Sequence, residues 1–135
     1  MKGSDGHVGL GTLTPTSKLS VSGSIDFTNT SGSLSYIEDL DADTGANIIA
    51  SINASKYESL FFDYVVTRGA GIGRRAGTVT AITDGTLVEF TDVSTVSIGI
   101  TSGMTFNVTG GLGIMMLSFV SDEDNCTVKG LLRLI

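Results

Sequence analysis

The sequence has no tryptophan, one proline, one cysteine and one histidine, and only 16% of its residues are charged. Each scarcity excludes something. A lone cysteine, Cys126, permits no internal disulfide and fits folding in a reducing compartment; next to a polar loop it reads as a small packed apolar residue. The lone histidine, His7, lies in a glycine-rich leader far from any candidate nucleophile, so a Ser-His-Asp or Cys-His site has almost no material. It reads as polar filler; only three copies meeting on a threefold axis would make it a metal ligand. Eight Lys and Arg against fourteen Asp and Glu give a net charge of −6, and no basic stripe exists to neutralise phosphates. Nucleic acid is therefore not an expected partner. No apolar run reaches the 18 or so residues a spanning helix requires, and the first ten residues have no apolar core of a secretory signal. Membrane insertion is not expected either.

What is abundant points to strands. The chain has 18 Gly, 16 Ser and 17 Thr, and with 11 Val and 11 Ile its β-branched residues outweigh Glu, Lys and Arg. Such residues pack well on a pleated surface and poorly in helices. The hydrophobic fraction of 41% is high enough to offset chain entropy. With so little charge, the surface is expected to be partly covered by a partner chain. The four Asn-x-Ser/Thr sequons, at Asn29, Asn53, Asn107 and Asn125, are what so Ser/Thr-rich a sequence gives by chance.

Composition shifts near Ser33, which divides the chain into a Gly/Ser/Thr-rich stalk or neck segment, 1–33, and a β-sandwich head domain, 34–135. In the head the period is two. Leu60, Phe62, Tyr64 and Val66 share one face, as do Val96, Ile98 and Ile100, and Met104, Phe106 and Val108; each set is expected to be buried. Ile114–Val120 and Val128–Ile135 are nearly continuous apolar runs, expected to be covered on both faces, one cover being a neighbouring subunit. Asp84-Gly85 predicts a type I′ hairpin, Ser102-Gly103 and Gly110-Gly111 predict the next turns, and Asp122–Asn125 a polar loop. Eight or so strands in about 100 residues is the density of an antiparallel β-sandwich or jelly roll.

Three motifs invite chemistry. Asp43-Thr44-Gly45-Ala46 is the tetrapeptide of small all-β aspartic proteases, in which two copies share a proton across a twofold axis. There the Asp follows a buried apolar strand; here it follows Asp39-Leu40-Asp41-Ala42, and an acidic turn is the better reading. The alternation Asp39-x-Asp41-x-Asp43 resembles a calcium loop, but the sixth and twelfth positions are Thr44 and Ala50 instead of Gly and Glu. Gly69-Ala70-Gly71-Ile72-Gly73 suggests a phosphate cradle, yet Arg74 stands where the third glycine belongs and no helix follows. Arg68, Arg74 and Arg75 are the one positive focus and could contact an anion or an acidic glycan. No catalytic residue, metal ligand or cofactor is nominated.

The most specific signal is in the leader. Val8-Gly9-Leu10-Gly11-Thr12-Leu13-Thr14-Pro15-Thr16-Ser17-Lys18-Leu19-Ser20-Val21-Ser22-Gly23 resembles the V-G-[IL]-G-T-x-x-P-x-x-K-L-x-V-x-G segment of bacteriophage tail fibres, matching every constrained position. Glycines let backbones approach, Pro15 fixes a bend, and Leu19 and Val21 can point together at a threefold axis. The domain after the leader is similar to the C-terminal head domains of such fibres: Leu60–Val66 with Asp63-Tyr64, Arg75-Ala76-Gly77-Thr78, Asp84-Gly85-Thr86 with Glu89-Phe90-Thr91-Asp92, and Val128-Lys129-Gly130-Leu131-Leu132-Arg133. The resemblance implies an all-β, jelly-roll-like head, homotrimeric above a short glycine-rich stalk. It implies a non-enzymatic tail-fibre tip in the virion, assembled in the host cytoplasm, that binds a bacterial surface glycan or protein receptor. Candidate receptor-binding residues are Arg68, Arg74, Arg75, Asp84, Asp122 and Asn125. The alternatives are a purely structural trimerising cap and, remotely, the aspartic protease. Such fibres carry a long shaft before the leader, so the chain is expected to be a fragment or a short fibre tip.

Overall fold

The computed structural model describes residues 6–27, 32–69 and 73–135. Among them the chain is all-β. The leader supplies β1 (Val8–Leu10), β2 (Leu19–Val21) and β3 (Ile25–Phe27). Then come β4 (Gly32–Ala42), β5 (Gly45–Asn53), β6 (Ser59–Thr67), β7 (Gly73–Thr83), β8 (Val88–Gly99), β9 (Thr105–Gly111), β10 (Ile114–Ser121) and β11 (Cys126–Leu134). A six-stranded antiparallel sheet has the order β3-β4-β11-β6-β7-β8, and a three-stranded antiparallel sheet the order β5-β10-β9. β1 and β2 form a separate parallel pair. β3 pairs with β4, so the larger sheet extends into the glycine-rich segment.

The two sheets share one core. From the larger come Leu60, Phe62, Tyr64 and Val66 of β6, with Val79, Val128 and Leu132; from the smaller come Phe106, Val108, Met115, Leu117 and Phe119. Alternation puts these side chains on facing surfaces. Phe106 is the hinge of the packing, with ring centroids 4.4 Å from Tyr64, 5.7 Å from Phe62 and 5.3 Å from Phe119. Met104, Phe106 and Val108 are buried as their period predicts.

The expectation for Val96, Ile98 and Ile100 is corrected. They are 61, 68 and 58% exposed. β8 is the edge strand of the larger sheet, and Val96 and Ile98 pair with Ala76 and Arg74 on the face turned away from the core. Periodicity shows which residues share a face, but not whether anything covers it. The two continuous runs are likewise covered on one side only within this chain: Met115, Leu117 and Phe119 are buried, while Ile114 is exposed, and Leu132 is buried between exposed Leu131 and Arg133.

The turns are also redistributed. Asp84-Gly85 belongs to a longer connection, residues 84–87, in which Gly85 has φ +91° and Asp84 is not in the left-handed region. The tight turn with positive φ at both central residues is Leu112-Gly113, at +52° and +75°, closing the β9–β10 hairpin. Gly110 is not free to serve as a turn: a Cβ there would stand 2.3 Å from Val88 Cγ2, so the strand needs it to pack beside β8.

In the leader, Gly11 has φ +74° and lies so close to the Ser22 carbonyl that a Cβ would be 2.5 Å from it. Gly9 is similarly tight against the Thr12 carbonyl. Gly11 is required by the close approach of the residues that follow β1 and β2, and Gly9 by the fold-back of the β1–β2 connection onto β1, both within one chain. Val8 and Leu10 pair with Leu19 and Val21, making a small apolar ribbon on which Leu19 is exposed and Val21 half-buried.

Candidate functional site

Five of the six candidate receptor-binding residues gather at one end of the sandwich. Arg68, just past β6, is a cross-brace there. Its Nη1 donates to the Ser102 carbonyl at 2.8 Å, its Nη2 stands 3.2 Å from Asp122 Oδ1, and its Nε donates to the Glu123 carboxylate. That last bond, with the neighbouring Asp122 charge, holds the guanidinium still more firmly protonated. One side chain thus ties the β6–β7, β8–β9 and β10–β11 connections together. Only 13% of it remains exposed, so it is a strut more than a receptor contact.

Two glycines allow the same loops to close. A Cβ on Gly69 would lie 2.1 Å from the Asp124 carbonyl, and one on Gly73 would lie 1.9 Å from the Ile100 carbonyl. Asp124 Oδ1 then accepts the Thr44 N–H at 2.9 Å, linking the β4–β5 turn, and the Thr44 hydroxyl and N–H hold the Asp124 carboxyl below its ordinary range. Asn125 is in the left-handed conformation at φ +58°, a geometry asparagine tolerates well. Asp122, Asp124 and Asn125 are exposed. The result is a rim of carboxylates, amides and hydroxyls whose backbone is fixed from several sides.

Arg75 faces inward. Its Nη2 is 3.1 Å from Asp92 Oδ2, while the Tyr64 hydroxyl donates to Asp92 Oδ1 at 2.6 Å, and the guanidinium lies over the Tyr64 ring at 5.6 Å. Burial, and then the bond to Asp92, push the Tyr64 hydroxyl well above its usual pKa. A Cβ at Gly77 would meet the Tyr64 hydroxyl at 2.6 Å, so glycine makes room for the cluster beside the bulge in β7–β8. Arg74 points to the opposite face, beside Thr67 and Ile98, and is exposed. The three arginines therefore do not form one cationic patch.

Asp84 stands at the far end of β7, an 11-residue strand, roughly 35 Å from Arg74. Its Oδ1 accepts the Thr86 and Leu87 N–H groups, each at 2.8 Å, and these bonds, Leu87 first, hold its carboxyl below the ordinary range. It belongs to a turn, not to the loop cluster.

Asp43 lies in the exposed β4–β5 turn. Its N–H donates to Asn47 Oδ1 at 3.2 Å and its carbonyl accepts from Asn47 Nδ2 at 2.7 Å, a clamp that shapes an acidic bend. Asp39 and Asp41 are in the same strand, and Asp39 accepts the Asp41 N–H. Among the described residues no group of three or more His, Cys, Asp or Glu side chains converges to hold a metal. His7 Nδ1 donates to the Pro15 carbonyl at 3.3 Å. Residues Ala70, Gly71 and Ile72 of the suggested phosphate cradle, and the Asn29 sequon, lie outside the described residues.

Two residues that sequence reasoning missed matter here. Glu123 is the second anchor of Arg68, and Asp124 joins the β4–β5 turn. The only signal for them is their place in the polar loop between β10 and β11.

No family model matches the chain, and no curated protein sequence matches it. Among solved structures it is similar to the tailspike protein of Acinetobacter baumannii phage AM24, at 7% identity and a TM-score of 0.39, and to the tailspike protein of Acinetobacter phage vB_ApiP_P1, at 12% identity and a TM-score of 0.38. The similarity covers 77% and 82% of this chain but only 26% and 23% of those proteins, so the chain spans about a quarter of their length.

Proposed function

We propose that the chain is the receptor-binding head of a phage-type tail fibre, non-enzymatic and homotrimeric, that holds a bacterial surface saccharide through the loop end of its sandwich. The observation that carries this reading is the Arg68 brace. It fixes three connections at one end and leaves Asp122, Asp124 and Asn125 displayed outward on a preorganised frame. Rigid loops on a β scaffold lose little entropy on binding. Carboxylates and amides suit sugar hydroxyls, and three copies would give weak sites useful avidity. The leader motif supports the fibre context, and its exposed Leu19, sharing a face with Val21, supports close contact around a threefold axis. The fibre is then part of the virion, assembled in the host cytoplasm.

The test is adsorption of the fluorescently labelled chain to a panel of bacterial strains, with periodate-oxidised and protease-treated cells in parallel. Binding lost after periodate and kept after protease supports a saccharide; the reverse pattern identifies a protein receptor. Asn125→Gly, which keeps the left-handed backbone and removes only the amide, should reduce adsorption severalfold with the fold intact. Adsorption to no strain would favour the structural trimerising cap, the reading that the large uncovered sheet face supports.

A further inference from the structure

Resting on the trimer reading above, we infer that the outward face of the six-stranded sheet is the surface on which a second copy of this chain docks. The cross-strand register assembles this face from rows. One runs Tyr36, Leu131, Asp63, Thr78, Val93, and the next runs Glu38, Lys129, Val65, Ala76, Val96. Ile82 and Ile98 extend it towards either end of β7 and β8. Tyr36, Leu131, Val65, Val93 and Val96 are each about half exposed or more. Apolar side chains this exposed on two neighbouring rows form a contiguous patch, the kind of surface that marks an interaction site. Between the rows the small residues Ala76 and Thr78 leave a trough of about 400 Å³, walled by Tyr36, Val65 and Leu131, shaped to receive a side chain from a neighbour.

Charge identifies the occupant. The whole chain carries −6, so two arbitrary faces of two copies repel. On this face, however, Glu38, Asp63 and Glu89 are matched in number by Arg74, Lys129 and Arg133, three of each sign, with Glu38 and Lys129 directly paired across β4 and β11. In a ring of three the contact is head-to-tail, so a face of zero net charge lets different positions of one copy meet those of the next without the repulsion that the chain's overall charge imposes elsewhere. A saccharide would gain nothing from the valines, and a strongly charged partner would find no field to follow. The apolar rows supply the association and the ionic ones its register.

The experiment measures mass by light scattering on the whole chain. The unaltered chain is expected at the mass of three copies. Leu131→Glu and Val96→Glu should bring it to the mass of one with an unchanged far-ultraviolet β spectrum, while Met116→Glu, on the outward face of the other sheet, leaves three. If both face variants stay trimeric, or only Met116→Glu dissociates, this inference is overturned and the trimer reading stands. A single-copy mass for the unaltered chain overturns both. A measurement without any variant guards against misfolding. Acylation of the unaltered protein by a water-soluble N-hydroxysuccinimide ester, read by mass spectrometry, should be at least tenfold slower at Lys129 than at exposed Lys18. Equal rates would place Lys129 in open solvent and refute the docking.

Discussion

The three-stranded sheet contains no Asp, Glu, Lys or Arg in any of its strands, whereas every strand of the six-stranded sheet contains at least one. Their inner faces are built alike, from Phe106, Leu117 and Phe119 on one side and Leu60, Phe62 and Val66 on the other. The difference lies outward. The small sheet presents Asn107, Thr109 and Ser118 with a few aliphatics; the large one presents valines and leucines set among charges of both signs. Hydroxyls and amides bond to water or to one another in many registers, so they solvate a face without specifying a partner. Opposite charges at fixed rows favour one register and penalise the rest. The small sheet closes the core; in the docking proposed above, the large sheet also sets the register of assembly.

The largest effect is expected where the two sheets meet. Phe119→Ala removes a fully buried ring of β10 from contact with Phe106, and should cost about 3–5 kcal/mol in urea unfolding. Ser118→Ala, one residue away and bonded only weakly to the Asn107 carbonyl at 3.4 Å, should change stability by less than ~0.5 kcal/mol. Comparable losses at both would show that the sheets do not share the core described. The next effect belongs to the large sheet alone. Asp92→Leu strands the Arg75 guanidinium, whose Nε is already buried without a hydrogen-bond partner, and frees the Tyr64 hydroxyl. A loss of about 2–3 kcal/mol is expected. Adding Arg75→Met should recover part of it; an additive double variant would mean that the pair is not coupled.

How much of this is legible in the sequence depends on what a period can encode. The buried stripes of β6 and β9 are readable because alternation is local, and so is the all-β class. The exposure of Val96 and Ile98 is not, since it depends on β8 being an edge strand with its outer face uncovered in one chain. Glycine pairs point to the wrong place for the tight hairpin turn: Gly110 is held by its contact with Val88, 22 residues away, and leucine fills the left-handed position instead. At the loop end, Arg68 is visible as a cation. Its partners are not, because Asp122 and Glu123 are more than 50 residues distant and reach it only when three connections converge. Asp84 looks equivalent to them in sequence and lies at the other end.

Leu112 sharpens the contrast on the uncharged side. It is fully exposed with φ +52°, where a β-carbon is strained by about 1 kcal/mol or more. Leu112→Asn keeps the turn and relieves that strain, so it should stabilise the monomeric fold by about 1 kcal/mol, read as a rise of a few degrees in Tm. A decrease would mean that the leucine is held by contacts outside the chain.

The smallest effect expected is a pH dependence confined to the charged sheet's β7–β8 connection. The folded carboxyl of Asp84 is held below the ordinary aspartate value by the Leu87 and Thr86 N–H groups. A folded pKa below the unfolded one means that the turn's contribution is fully present above about pH 4 and is lost as pH falls through the depressed value. Amide exchange at Thr86 and Leu87 should therefore accelerate as pH falls below about 4, while amides of the β9–β10 hairpin, which has no carboxylate in its strands or turn, should track only the intrinsic pH dependence of exchange. Asp84→Asn keeps an acceptor oxygen and removes the titration, so the acceleration should vanish with the turn intact. If both hairpins loosen together in the unaltered chain, the cause is global acid unfolding, and the separate ionic character assigned to the larger sheet loses its local support.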